Sequence, residues 1–375
     1  MNYKINAVRK KIMIAGTRGI PASHGGFETF AEKLSFHLYC HGWDVSVFCQ
    51  IDSNSSNEST DWQGIKRQLI PVRQHGSVGT IVFDWKSTQR ALKEHANIVL
   101  VLGYNTAIFS VFYRIRGVPS VMNMDGIEWK RAKWRWWQKL WLFANERIAG
   151  LVSSRLIADH PGIRNHLARG FFGRRDIEVI PYGADLIDSA DASYIKPYGL
   201  MPHEYCIIIA RPEPENQVLE IVKAFSLRQR NKKLVVLGKF DSEANSYHAE
   251  VTASASEEVL FLGAIYDKVT VSSLRFHATL YLHGHTVGGT NPSLVEALGA
   301  GSAIVAHDNE FNRWVAKDGA IYFKSQCECS LIFDYLLDDE NKLSELRRNS
   351  MINFLDNFQW ETILGRYRNL LSSYL

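Results

Sequence analysis

KIMIAGTRGIPASHGGFETFAEKLSFHL (11–38) sets a short apolar strand, a glycine-rich loop and an amphipathic helix in a single run. In the helical part Phe27, Phe30, Ala31, Leu34 and Leu38 recur at spacings of three and four, which marks one face of a helix. The same rhythm continues outward. DVSVFC (44–49), NIVLVL (97–102), PSVMNM (119–124), RLIA (155–158) and IEVIPYG (177–183) read as strands with helical stretches between them. After about residue 188 it restarts with EYCIIIA (204–210), KKLVVLG (232–238), VLFLGAI (259–265), ATLYLHG (278–284) and SAIVAH (302–307). Continuous apolar strands alternating with helices predict parallel sheets covered on both faces. Two such series predict an α/β protein of two doubly wound, Rossmann-like domains, broken in the polar stretch DLIDSADASYIKPYG (185–199). Ligands of open parallel sheets bind beyond the carboxyl ends of the strands. The expectation is therefore two domains facing each other across a cleft that holds the chemistry.

Composition agrees with this class. The 375 residues are 46% apolar and 22% charged, which excludes a disordered, collagen-like or disulfide-stapled chain. A net charge of +4 suits an anionic ligand or membrane surface without demanding nucleic acid. No apolar run reaches the length of a transmembrane helix. The basic start MNYKINAVRKKIMIAG meets glycine too early for a signal peptide. Cys40, Cys49, Cys206, Cys327 and Cys329 are odd in number and scattered, so they read as reduced cytoplasmic thiols. The segment SNSSNEST (53–60) reads as a polar loop.

Two loops are candidates for a phosphorylated ligand. In AGTRGIPASHGGFET (15–29), Gly16, Gly19, Gly25 and Gly26 permit close approach, and Arg18 and His24 accompany them. Gly25 and Gly26 sit where a helix begins, so their N–H groups and the helix dipole favour an anion. A tight turn with close strand–helix packing would use the same glycines. In HGHTVGGTNPSLVEALGAG (283–301), Gly288 and Gly289 precede Thr290 and Asn291, which suit a helix cap, and Pro292 fits the first helical position. A diphosphate on these N–H groups with a ribose against Glu296 is one reading, and a well-capped structural helix is the other.

This second segment resembles the signature of retaining family-four glycosyltransferases of GT-B architecture, in which a Glu, seven residues and a second Glu lead into a small-residue helix. Glu296 matches the second Glu, whereas Gly288 stands at the first. GTRGIPASHGGFET (16–29) and NMDGIEWKRAKW (123–134) resemble a bacterial subgroup containing β-1,4-rhamnosyltransferases of polysaccharide biosynthesis. VIPYGAD (179–185), ARPEPEN (210–216) and FQWETILGRYRNLL (358–371) extend the resemblance over nearly the whole chain. It implies an acceptor domain at 1–187, a nucleotide-sugar domain at 188–357 and a helix at 358–375 crossing back to the first domain. Gly25, Gly26, Glu215, Asn216, Lys239, Gly288, Gly289, Thr290, Asn291 and Glu296 would bind the donor, with Arg211 clamping the diphosphate. Asn216 occupies the place of a family Lys, whose charge Lys239 would supply. Gly288 removes a carboxylate that would face the donor sugar, in keeping with a sugar other than glucose.

NMDGIEWKRAKWRWWQKLWLF (123–143) adds an acidic and aromatic cluster. Asp125 would meet the acceptor hydroxyl at a strand's carboxyl end, with Lys130 near it or near phosphate. Glu128 follows closely, and an Asp-Gly turn before a charged helix start would look alike. Trp129, Trp134, Trp136, Trp137 and Trp141 place half of the ten tryptophans within 129–141, interleaved with Lys130, Arg131, Lys133, Arg135 and Lys139. Rings among cations suit a membrane interface with anionic headgroups. They also suit base stacking or packing inside the fold. The acceptor-facing or membrane-facing set is taken as Trp129, Arg131, Trp134, Trp136 and Trp137, with VFYRIRG (111–117) adding to it.

His283 and His285 can touch a donor sugar or serve a turn. The family implies a metal-independent enzyme, and no H-E-x-x-H, D-x-D or CxxC motif stands against that. G-x-S-x-G is also missing, which speaks against a hydrolase of the nucleophile-elbow type. The expected reaction is retaining transfer, with L-rhamnose from dTDP-L-rhamnose as the donor sugar implied by the subgroup. The acceptor would be a polyprenyl-diphosphate-linked saccharide of O-antigen or capsule, at the inner face of the cytoplasmic membrane. A UDP- or GDP-sugar transferase and a non-catalytic sugar-nucleotide-binding partner are the alternatives.

Overall fold

The apolar runs fold as strands buried on both faces. The computed structural model describes residues 10–23, 25–52, 59–131, 134–170 and 176–375. His24, Lys133, most of the polar loop 53–60 and the basic start at 1–9 lie outside these. The chain divides into two units: one runs to Pro181 and takes in Glu361–Leu375, and the other is Tyr182–Trp360. Sequence reading puts these boundaries at 187 and 357.

The first unit contains β1 (Lys11–Ala15), α1 (Gly26–Cys40), β2 (Asp44–Ile51), β3 (Asp61–Trp62), β4 (Ile65–Pro71), α2 (Gly76–Lys93) and β5 (Ile98–Leu102). It continues with α3 (Ser110–Ile115), β6 (Ser120–Asn123), α4 (Trp136–Val152), β7 (Arg155–Ala158), α5 (Pro161–Gly170) and β8 (Ile177–Val179). The sheet order is β3-β4-β2-β1-β5-β6-β7-β8, parallel except for the short β3–β4 pair. The chain leaves β1 toward one edge and returns at β5 on its other side, so the topological switch point lies between β1 and β5. Gly16 ends β1 with φ +83°, and a Cβ there would stand 2.2 Å from the Leu102 carbonyl oxygen. Only glycine lets the two strand ends close up in this way.

The second unit contains β9 (Tyr205–Ile209), α6 (Val218–Ser226), β10 (Lys233–Leu237), α7 (Ser246–Ala253), β11 (Val259–Gly263), α8 (Lys268–Phe276) and β12 (Leu280–His283). Then come α9 (Pro292–Gly299), β13 (Ile304–His307), α10 (Glu310–Ala316), β14 (Ala320–Phe323), α11 (Gln326–Leu336) and α12 (Glu340–Asn357). Its sheet order, β11-β10-β9-β12-β13-β14, is wholly parallel and follows the Rossmann winding. Alternate residues of β9 enter opposite layers. Cys206 and Ile208 pack with Val222 and Phe333, whereas Tyr205 and Ile207 pack with Leu298 and Phe354. Both faces are therefore sealed, which explains the continuous rather than alternating apolar pattern.

The last helix, α13 (Trp360–Ser372), carries Tyr367 into the first unit. The Tyr367 ring lies 4.7 Å from Phe30 of α1, and its hydroxyl accepts a hydrogen bond from Asn123 Nδ2 at 2.8 Å.

Candidate functional site

At the switch point of the first unit, a cavity of about 360 Å³ opens among the loops that follow β1, β5 and β6. The β1 loop contributes Thr17 and Arg18, the start of α1 contributes Gly25, Gly26 and Glu28, and the β5 loop contributes Tyr104 to Thr106. Asp125 lines it. Its φ of +49° is a left-handed conformation that Asp tolerates better than most residues. Its N–H donates to Asn123 Oδ1 at 2.9 Å, and Asn123 in turn is held by Tyr367.

Gly25 and Gly26 line the cavity at the start of α1, where the sequence places an anion. A carboxylate is already close: a Cβ on Gly25 would meet Glu28 Oε2 at 3.1 Å. Glu28 is therefore placed to take up part of the positive field of the helix terminus.

The acidic-aromatic segment separates into three environments. Glu128, the weaker candidate from sequence, lines the cavity, donates its N–H to the Tyr104 hydroxyl at 2.8 Å and pairs with Arg131 at 3.0 Å. Lys130 is exposed and outside the lining, with its ammonium 5.6 Å from the Trp129 ring centre. Trp134 lines the cavity. Trp129 instead braces the unit from within, since its Nε1–H donates to the buried Glu146 at 2.9 Å and its ring meets Phe143 edge-on. Arg131, drawn onto Glu128, likewise does not form part of an outward face. Trp136 and Trp137 do: they are 77% and 51% exposed at the start of α4. Ile115, Leu140 and Leu151 are exposed on the same pair of helices, α3 and α4, together with Arg114, Arg116 and Arg135.

Asp84 on α2 is a site residue that motif reading misses. It lines the cavity, and its Oδ2 accepts from Thr106 Oγ1 at 2.7 Å. Burial pushes its carboxyl up to about 6, against a smaller lowering by the Thr106 bond. The available signal is position. Thr80, Asp84, Thr88 and Ala91 recur at helical spacing, which sets an acid in line with the inward face that buries Phe83, Thr88 and Ala91.

In the second unit the switch point lies between β9 and β12, and the loops after these strands are tied to each other. Thr286 donates its N–H and its hydroxyl to the Glu215 carbonyl at 2.9 and 3.0 Å. Asn216 is buried, donates to the Arg211 carbonyl at 2.8 Å and meets His285 Nδ1 at 2.5 Å. Its amide therefore holds two loops in register. Asn309 and Asn312 fix the His285 carbonyl from below at 3.0 and 2.9 Å. Arg211 and Lys239 are exposed on the loops after the adjacent strands β9 and β10.

α9 begins as its sequence predicts. The Asn291 side chain accepts from Ser293 N–H at 3.0 Å, and Pro292 takes the first turn. Glu296 on this helix pairs at 2.7 Å with Arg275, which is itself buried. Gly288 has a steric reason to be glycine, because a Cβ would fall 2.1 Å from the Phe311 ring. His283 is buried, and burial first, then His285 and His307, holds its imidazole well below the usual range, so it stays neutral. Its Nε2 has no hydrogen-bond partner among the described residues. Among those residues no group of three or more His, Cys, Asp or Glu side chains could hold a metal ion, and no helix is long and apolar enough to cross a membrane.

A family model described as Domain of unknown function (DUF1972) matches residues 9–185. No curated protein matches the sequence. Among solved structures, sucrose-phosphate synthase of Thermosynechococcus elongatus is similar at 16% identity, covering 97% of this chain and 100% of that one, with a TM-score of 0.80. HepE of Anabaena, solved with UDP and glucose, is similar at 17% identity over 97% and 100%, TM-score 0.77. The UDP-forming α,α-trehalose-phosphate synthase of Burkholderia xenovorans is similar at 11% identity over 96% and 100%, TM-score 0.75. The class is therefore the GT-B fold, an α/β chain of two parallel-sheet, Rossmann-like domains.

Proposed function

We infer that the chain is a retaining glycosyltransferase that moves a sugar from a nucleotide sugar to a saccharide acceptor. One observation carries the reading: both switch points, where this fold binds ligands, are built from the glycine loops and polar residues that the sequence singles out. Solved relatives of the same fold hold UDP, or UDP and glucose, which supports a nucleoside-diphosphate sugar as donor.

Transfer breaks the bond between the anomeric carbon and the diphosphate, and negative charge grows on the leaving phosphate. Arg211, the exposed Lys239 and the N–H groups of Gly289 to Asn291 would receive it. One preorganised donor at such a position contributes on the order of 3–4 kcal/mol to the barrier. Glu296, oriented by Arg275, would accept the nucleotide ribose hydroxyls. Asp125 would orient the acceptor hydroxyl. No carboxylate is assigned as a nucleophile, so a same-face route is preferred, in which the departing phosphate takes the acceptor proton.

The finer reading is L-rhamnose transfer from dTDP-L-rhamnose to a lipid-diphosphate-linked saccharide of a bacterial surface polysaccharide. Gly288, with Phe311 packed where a side chain would begin, leaves no carboxylate at that point of the donor loop. This supports a donor other than glucose. The exposed Trp136, Trp137 and Ile115 beside Arg114, Arg116 and Arg135 support peripheral contact with an anionic membrane surface.

The test is purified protein with a panel of dTDP-, UDP- and GDP-sugars and lipid-diphosphate saccharides, read by product mass and anomeric configuration. Absence of turnover with every donor would sink the transferase reading. In the active pair, Asp125→Asn is expected to lower transfer at least a hundredfold while nucleotide binding by calorimetry stays within twofold.

A further inference from the structure

Glu296 is not a bare carboxylate. Its Oε2 accepts from Arg275 Nη2 at 2.7 Å, whereas its Oε1 takes no hydrogen bond among the described residues. The Glu296 side chain is 38% exposed and that of Arg275 only 4%. One partner is fixed inside the fold, and the other reaches the surface of α9.

The buried partner cannot let go. Its guanidinium carbon stands over the Tyr281 ring, 5.9 Å from the centre. Tyr281 is fully buried, and its hydroxyl lies 2.5 Å from Ser293 Oγ in the first turn of α9. Arg275 Nε is buried without a hydrogen-bond partner, and Glu296 is the one ion-pair partner of Arg275 among the described residues. A guanidinium already short of acceptors would become an uncompensated buried charge if Glu296 turned away. A neutral hydroxyl on a ligand offers far less than that costs. The pair therefore persists when a ligand arrives, and the ligand meets one oxygen rather than two.

This changes what Glu296 can read. A free carboxylate has two acceptor oxygens and can take both hydroxyls of a vicinal diol, one on each. With one oxygen held inside, it matches a single hydroxyl. We propose that Arg275 determines nucleotide specificity: by occupying Glu296 Oε2 it limits the ribose contact to the 3′-hydroxyl, so that a 2′-deoxyribonucleoside diphosphate binds as well as its ribose counterpart. Resting on the reading of α9 as the donor helix, this role narrows the ribose contact of Glu296 and names the class of nucleotide admitted. A site that needed both hydroxyls would reject a deoxynucleotide, because its second acceptor would be left unpaired. Arg275 acts through Glu296 and is a positioning residue.

The experiment is isothermal titration calorimetry on the full chain. The probes are 5-methyluridine diphosphate, dTDP and 2′,3′-dideoxythymidine diphosphate, with the same three sugars on uracil. Within each set the base and diphosphate are constant, and the set that binds more tightly is read. In the parent, the 2′-deoxy member is expected within about threefold of the ribose member. The dideoxy member should bind about tenfold weaker than the 2′-deoxy one, the loss of one hydrogen bond to a charged group. Arg275→Met frees both oxygens, and there the ribose member should exceed the 2′-deoxy one by about tenfold. Arg275→Lys keeps one cation on the acid and should restore near-equal binding. A merely structural Arg275 would weaken all members alike and leave their ratios unmoved. The parent comparison needs no variant, so it decides even where Arg275→Met melts early. A larger loss on removing the 2′-hydroxyl from the parent ligand, equal binding of the dideoxy member, or an unmoved ratio in a cooperatively melting Arg275→Met would each overturn the proposal. Absence of binding by every probe overturns it too, and the donor reading falls with it when no nucleotide sugar is turned over. If nucleotide sugars are turned over while the parent demands the 2′-hydroxyl, the transferase reading stands and the role of Arg275 falls.

Discussion

Asp84 carries a burial cost that its hydrogen bond from Thr106 offsets only in part. Burial raises its carboxyl from an ordinary 3.8 to about 6. For an acid raised on folding, the native state holds the proton longer than the unfolded chain. The stabilising contribution is therefore complete below about pH 4 and is lost as pH rises through 6. That rise corresponds to at most about 3 kcal/mol. Asp84→Asn should then melt a few degrees higher than the parent at pH 7.5, with the difference vanishing below pH 4, as scanning calorimetry would show. A residue kept for stability would give the opposite sign. Gly288 makes a second case. Restoring the acid of the family pattern with Gly288→Glu drives a side chain into Phe311 and should cost roughly 1–3 kcal/mol. The double variant with Phe311→Ala should recover part of it, and additive losses in urea melts would count against this account. Asp125, Gly25 and Gly26 are legible in sequence because each stands at a strand-to-helix junction that motif reading inspects. Asp84 and Phe311 are not, since they reach their places from helices far along the chain.

Helix starts and glycine loops are local properties, and there the sequence speaks clearly. Asn291-Pro292 announces α9 in cap and first turn, and both are found in those roles. Asn291→Ala should lower stability by about 1 kcal/mol. It should also weaken nucleotide binding, because the cap fixes the N–H groups assigned to the diphosphate. If calorimetry finds nucleotide affinity unchanged while the melt drops, the cap is structural only. The tryptophan segment is harder. Glu128–Lys130 forms a short 3-10 turn, and α4 begins only at Trp136. Composition alone does not divide the rings among these pieces. Trp129 is turned inward by Glu146, an acid 17 positions later whose burial depends on α4 packing.

At the scale of the molecule, the strand runs suffice for the two-sheet architecture, because parallel strands buried on both faces leave an unmistakable apolar record. The two-residue strand β3 leaves none, and the apolar runs also pass over β4, where buried residues are interleaved with exposed ones, and the short β14. The outward face of α3 and α4 is a property of the folded surface, and its reading can be tested as one. Replacing Trp136 and Trp137 together by Ser should reduce co-sedimentation with vesicles containing anionic lipid at least tenfold. Transfer to a detergent-solubilised acceptor should change less than twofold. Equal binding to vesicles before and after would show that the rings face something other than a bilayer.

α13 gives the first unit a seam that joins distant parts of the chain: Tyr367 closes against Phe30 and Asn123, while all of Tyr182–Trp360 is spelled out in between. On the ribosome, where domains usually mature from the amino end, this order is reversed. The later unit has its whole sequence available first, and the earlier one waits roughly ten to thirty seconds of elongation for its closing helix. During that interval the groove that will receive Tyr367 lies bare to chaperones. A premature stop in the final stretch would therefore damage the half of the protein that was translated first.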